Sequence, residues 1–115
     1  VVDDEEDFLS LIKCALEERG FEVITATNAI DAGIKMSSAL PAVILMDIRM
    51  PGINGFQACE AIKSNPVTKD VPVIIISGFS DDSYIKKARN IGVADYFVKP
   101  VNIEKLILKI KEVTS

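Results

Sequence analysis

Short apolar runs alternate with helix-periodic segments along this whole chain, and a polar residue closes almost every run. Ala42 to Met46 and Val73 to Ile76 are continuously apolar, as strands covered by helices on both faces are. Tyr96 to Val98 is a shorter strand-like run, and Glu22 to Thr25 alternates polar and apolar residues as a half-exposed edge strand does. Helical spacing links Phe8, Ile12, Ala15 and Leu16 ahead of a stop at Gly20. A second helix is expected from a cap at Thr27 or Asn28 through Met36, with Pro41 closing the unit. Gly55, Ala58, Cys59 and Ile62 define a third, and Tyr84, Ile85, Ala88 and Ile91 a fourth that ends at Gly92. Ile103, Leu106, Ile107 and Ile110 define a fifth behind a cap at Asn102. Such alternation implies right-handed βαβ units: a doubly wound α/β fold with a five-stranded parallel sheet and helices on both faces.

At 115 residues the chain has room for one domain with one core, residues 1–115, and its 49% hydrophobic and 26% charged residues suit a globular protein. Val1 and Val2 are too few for a full first strand, so that strand is expected to be truncated and the protein to continue ahead of Val1. The apolar stretches fall far short of the roughly 20 residues that span a bilayer, so neither membrane insertion nor a signal peptide is expected, and a cytoplasmic location is. A net charge of -4 gives no broad footprint for direct nucleic-acid binding, and Lys86, Lys87 and Arg89 read as a solvated helix face. Cys14 and Cys59 lie outside any CxxC pattern and are expected to be reduced, buried thiols. Histidine is absent, which removes the usual general base and any self-contained phosphohistidine chemistry.

Asp3, Asp4, Asp47, Ser77 and Lys99 each stand where a strand-like run stops. In an open parallel sheet such residues meet along one edge, where these folds bind ligands. With strand order 2-1-3-4-5, Asp3 and Asp4 would face Asp47 across the topological switch point. Three carboxylates within a few ångströms raise at least one pKa or call for a cation, and a hard oxygen-binding ion such as Mg²⁺ suits carboxylates together with phosphate oxygens. Lys99 adds a positive charge and Ser77 a hydroxyl donor.

These residues resemble the receiver domains of two-component response regulators, a phosphorelay family that includes chemotaxis regulators. Val1-Val2-Asp3-Asp4-Glu5 looks like the family's acidic opening, Met46 through Gly52 its phosphoacceptor segment, and Val98-Lys99-Pro100 its lysine turn. Ser77 stands where the family has serine or threonine, and Tyr96 at its switch aromatic. The resemblance implies that Asp47 accepts a phosphoryl group from a partner histidine kinase or histidine phosphotransfer protein. Asp3, Asp4, Asp47 and the main-chain carbonyl of Arg49 would hold Mg²⁺ or Mn²⁺. Lys99 would stabilise the transferring group, and the Lys99-Pro100 bond would be cis. Ser77, the loop Gly78 to Asp82 and Tyr96 would form a two-state switch acting on the face made by the fourth helix, fifth strand and fifth helix. That face would bind partners or form a homodimer. Such a chain is no turnover enzyme; it catalyses only its own phosphorylation and dephosphorylation. Leu108 lies off the fifth helix's apolar stripe and belongs either to that face or to ordinary exposed surface. Asn54 stands where many relatives carry aspartate, and Arg49 and Phe79 at variable positions beside the phosphate. The segment Asn65 to Pro72 resembles the longer loop of stand-alone and hybrid-kinase receivers, and Val101 departs from a phenylalanine frequent in winged-helix regulators. Any effector domain lies outside this chain.

Each residue alone has an ordinary explanation: Asp3 and Asp4 can introduce a helix whose positive end favours acids, Ser77 can bond to backbone, and Lys99 can be a surface charge. Gly52-Ile53-Asn54-Gly55 lacks the lysine and spacing of a P-loop and reads as a tight turn. Two other functions share the fold class. A flavodoxin-like cofactor binder would place a flavin at the same edge, but its phosphate would meet three carboxylates. An aspartate-nucleophile phosphatase would need a second acid-base carboxylate and usually a cap domain.

Overall fold

A fully buried strand shows alternate side chains to opposite sides of its sheet, and Val73 to Ile76 does so here. The computed structural model describes residues 1–50, 53–78 and 81–114. Val73 and Ile75 pack into one core with Met46, Phe56, Cys59, Ile62 and Ala88, whereas Ile74 and Ile76 pack into another with Ile12, Leu16, Leu106 and Ile110. The sheet therefore separates helices α2 (Ala29–Ser38), α3 (Gly55–Ser64) and α4 (Asp82–Ile91) from α1 (Glu6–Glu17) and α5 (Ile103–Thr114).

The expected stops and caps are in place. Asn28 Oδ1 accepts the Asp31 N–H at 2.8 Å, Asn102 Oδ1 accepts the Lys105 N–H at 3.1 Å, and Gly92 ends α4 at φ 98°. Strands β1 (Ile44–Met46), β4 (Val73–Ser77) and β5 (Asp95–Val98) form a parallel sheet in the order β1-β4-β5. The first two expected strands are reduced to single bridges: Val2 pairs in parallel with Met46 on one side and with Ala26 on the other. The three regular strands show the 3-4-5 part of the expected order 2-1-3-4-5, and the two Val2 bridges are consistent with the remainder.

Three expectations need correction. Glu22 to Thr25 makes no regular strand; the segment meets its neighbour through bonds of Ile24 and Ala26 with Val1 and Asp3 and a single bridge from Ala26 to Val2. Of the turn expected at Gly52 to Gly55, Ile53–Asn54 instead forms β3, paired antiparallel with β2 (Arg49–Met50), and Gly55 begins α3; Pro51 and Gly52 lie outside the described residues. Cys14 is exposed, and only Cys59 is buried, its Sγ 3.7 Å from Met46 Sδ. Cys14 follows Ile12 by two helical positions and so turns away from the buried stripe. Leu108 is exposed on α5. Among the described residues no helix is long and apolar enough to cross a membrane.

Gly55 fixes how the segment after β1 joins α3. Its N–H donates to the Ile48 carbonyl at 3.2 Å, and a Cβ at this position would lie 2.2 Å from the Ile48 Cα. Main chain cannot yield as a flexible side chain does, so Gly55→Ala is expected to destabilise the fold by roughly 1–3 kcal/mol, the usual cost of overpacking. A wild-type urea midpoint for the variant would show that the backbone gives way instead.

Candidate functional site

Main-chain pairing sets the strand ends level. The Val2 N–H donates to the Leu45 carbonyl at 2.7 Å and the Asp47 N–H to the Val2 carbonyl at 2.9 Å, so Asp3 and Asp47 leave adjacent strands at the same height. β4 and β5 pair Ser77 with Val98, and the Lys99 N–H donates to the Ser77 carbonyl at 2.8 Å. The next bond, Lys99-Pro100, is cis, as the resemblance implies. Residues separated by up to 96 positions thereby share one pocket.

The Lys99 ammonium lies at its centre. It donates to Asp3 Oδ2 at 2.8 Å, Asp47 Oδ2 at 3.1 Å and Glu5 Oε1 at 3.1 Å, and it stands 4.1 Å from the centroid of the Phe8 ring. Asp3 and Asp47 are buried, Glu5 and Asp4 exposed, and each of these four acids has a carboxylate oxygen within 4.8 Å of the others'. The second Asp3 oxygen accepts the Glu5 N–H at 2.9 Å, which ties this carboxylate to the start of α1. Burial alone would lower the Lys99 pKa, but the hydrogen bonds to Asp3, Glu5 and Asp47 outweigh it and hold the ammonium above the ordinary lysine range. Asp3 is raised despite the same pairing: burial is the largest cause, the bonds from Lys99 and the Glu5 N–H oppose it, and the charge on Asp47 adds to it. The two shifts are compatible because one ammonium serves three carboxylates. The cation is amply compensated, and buried Asp3 is not.

Ser77 is fully buried at the end of β4. Tyr96, half-buried on β5, has a raised pKa, chiefly through burial and against a hydrogen bond with Ser77, with the charge on Asp47 contributing. Ser77 and Tyr96 are therefore in contact and within electrostatic reach of the pocket. Sequence reasoning brought Asp3, Asp4, Asp47, Ser77 and Lys99 to this edge, and the structure gathers them there; Tyr96, named from the resemblance as the switch aromatic, lies within β5 opposite Ile75. That reasoning did not single out Glu5 or Phe8 as partners of Lys99, although Glu5 directly follows the Asp3-Asp4 pair and Phe8 lies one helical turn beyond. The Arg49 and Asn54 side chains and all of Phe79 lie outside the described residues, as does part of the loop Gly78 to Asp82.

The pocket's donor set fits a hard divalent ion, since buried Asp3 and Asp47 with exposed Asp4 supply oxygen ligands beside solvent. A cluster of carboxylates, a lysine and a hydroxyl at the edge of a doubly wound sheet is the arrangement of the signalling domains that the sequence resembles. Residues 1–111 match the family model described as the response regulator receiver domain, and the chain belongs to that family. It is 36% identical to the protein PilG of Pseudomonas aeruginosa over 113 residues, covering 96% of this chain and 82% of PilG. It is 32% identical to the phosphate regulon transcriptional regulatory protein PhoB of Rhizobium meliloti over 111 residues, covering 96% of this chain but 49% of PhoB. The chain thus spans about half the length of that relative. Among solved structures, the chemotaxis response regulator CheY4 of Vibrio cholerae superposes with a TM-score of 0.88 at 27% identity, covering 97% of this chain and 93% of CheY4. The receiver domain of NtrX from Brucella abortus gives a TM-score of 0.90 at 29% identity, covering 98% and 94%.

Two outcomes are expected of the charge cluster. Lys99→Met leaves Asp3 and Asp47 facing each other without their ammonium and is expected to cost about 2 kcal/mol in EDTA, less than for a fully buried pair because the pocket opens to solvent. Millimolar Mg²⁺ should restore most of that loss in urea unfolding, and an equal loss with and without Mg²⁺ would contradict the account. Asp3→Asn tests the sign of the other shift. A raised Asp3 pKa means that ionisation opposes folding above the carboxylate range, so the variant should be at least as stable as wild type at pH 7, and its advantage should shrink as the pH falls toward 3.8. A lower urea midpoint for Asp3→Asn at pH 7 would reverse the assignment.

Proposed function

We propose that this domain is a phosphorylation-activated switch with Asp47 as phosphoacceptor. The observation that carries the reading is the Lys99 ammonium bridging Asp47 and Asp3 at 3.1 and 2.8 Å, with Ser77 closing the adjacent strand. An Asp47 carboxylate oxygen attacks the phosphorus of a phosphohistidine on a partner kinase or phosphotransfer protein. The new P–O bond forms as the P–N bond breaks, and the imidazole leaves with the bonding pair. Phosphoryl transfer asks mainly for alignment and neutralisation of the equatorial oxygens, and Lys99 supplies part of that charge from a position already beside Asp47. Asp3, Asp4, Asp47 and the Arg49 main-chain carbonyl would hold Mg²⁺ or Mn²⁺, which supplies further neutralisation of the phosphoryl group when bound. The chain acts once per phosphorylation rather than turning over a substrate.

The acyl phosphate adds negative charge and acceptor oxygens next to Ser77. Turning the Ser77 hydroxyl toward them alters its bond with Tyr96 and so the face of α4, β5 and α5, through which a partner or a second copy binds. That face can shift its affinity only by the phosphate's preference between the two states.

Intact-mass measurement after incubation with Mg²⁺ and acetyl phosphate tests the acceptor. Wild type should gain one phosphoryl mass and Asp47→Asn none. Equal labelling of both proteins would remove Asp47 from the role.

A further inference from the structure

The Lys99 ammonium has two kinds of partner. Asp3 and Asp47 are strand-end acids on the pocket floor, whereas Glu5 and Phe8 belong to the first turn of α1: Glu5 is its N-cap residue and Phe8 lies three positions on. Residues three apart on a helix share a face, so the Glu5 carboxylate and the Phe8 ring form one seat for a cation. The seat is built into the main chain, because the Glu5 N–H bonds to the Asp3 carboxylate and the Phe8 ring packs against the core with Ile12 and Leu106.

Resting on the phosphoacceptor reading above, we infer that Glu5 and Phe8 are positioning residues: their seat holds Lys99 against Asp3 and Asp47 and thereby sets how readily a divalent cation takes those oxygens. A divalent cation beside Asp3 and Asp47 repels an ammonium 2.8 and 3.1 Å from the same carboxylates. Lys99 must give up part of its present geometry for the ion to bind, and every contact holding that geometry weakens ion affinity. Phe8 separates this effect from simple charge, since replacing it changes no ionisable group. Glu5→Gln does not, because it also removes negative charge that attracts the ion.

The test is a double-mutant cycle on Mg²⁺ affinity, measured by isothermal titration calorimetry with Phe8→Leu, Lys99→Met and the double variant. Phe8→Leu should bind Mg²⁺ about two- to five-fold more tightly than wild type, the range spanned by a partly exposed cation–π contact. In the Lys99→Met background the same change should have no effect. Unchanged affinity in the wild-type background, or equal changes in both, would overturn the inference. A second measurement needs no metal: in EDTA the Phe8 ring current should shift the Lys99 side-chain NMR resonances upfield, and Phe8→Leu should abolish the shift. Random-coil Lys99 shifts in wild type would dispose of the seat whether or not Asp47 proves to be the acceptor. Labelling failure at Asp47 with the shift intact would instead reject the reading and keep the seat.

Discussion

One ammonium shared by three carboxylates organises the functional end of this domain. Asp3 and Asp47 are buried side by side, an arrangement that water would otherwise have to solvate, and Lys99 supplies the charge that lets them remain there. That contact is possible only because several main-chain bonds agree. Val2 must be held between Ala26 and the end of β1, and β5 must stay in register with β4 so that Lys99 begins where Ser77 ends. A slip of one residue in either pairing would turn the relevant side chain to the other face of the sheet. Core packing and site geometry are therefore one problem: the apolar runs fix the register, and the register delivers the charges.

The central strands, all five helices and the gathering of the strand-end residues were legible in the sequence because each rests on a local signal. Continuous apolar runs marked β1 and β4, periodicity marked the helices, and polar residues marked where strands stop. What escaped depends on distances that periodicity does not encode. Glu5 reads as one more acid in a helix-opening run, and nothing local tells it apart from Glu6, yet only Glu5 reaches an ammonium that begins 94 residues later. Phe8 reads as core and does pack against the core, half-buried, with a cation over its ring. The β2–β3 hairpin was hidden for a related reason, since two residues on each side form no pattern that outweighs the glycines and proline around them. Cys14 was misjudged because thiols are usually buried, a compositional tendency that the helical phase of its own segment overrules.

A switch needs elements that differ in how firmly they are held, and the proposed output face combines two extremes. α5 buries Leu106, Ile107 and Ile110 against the sheet, so it moves only at the expense of a large part of one core. α4 fully buries Ala88 alone; Tyr84 stacks on Phe56 of α3 with ring centroids 5.9 Å apart, and Lys87 lies 4.8 Å from the centroid of that ring. Contacts of this kind are individually worth about a kcal/mol and can be exchanged without opening the core. β5 lies between the two helices in sequence, with Tyr96 bonded to Ser77 and Lys99 following its last residue. On the switch proposed above, charge added at Asp47 would act on Lys99 and Ser77 first and would reach, through Tyr96, a helix with far fewer buried side chains than α5. Elements with few buried contacts open at low free energy, so α4 yields to a modest electrostatic change more readily than α5 does. The same pocket that leaves Asp3 under-compensated is thus joined, through the adjacent strands β4 and β5, to the more lightly held of the two helices on the proposed face.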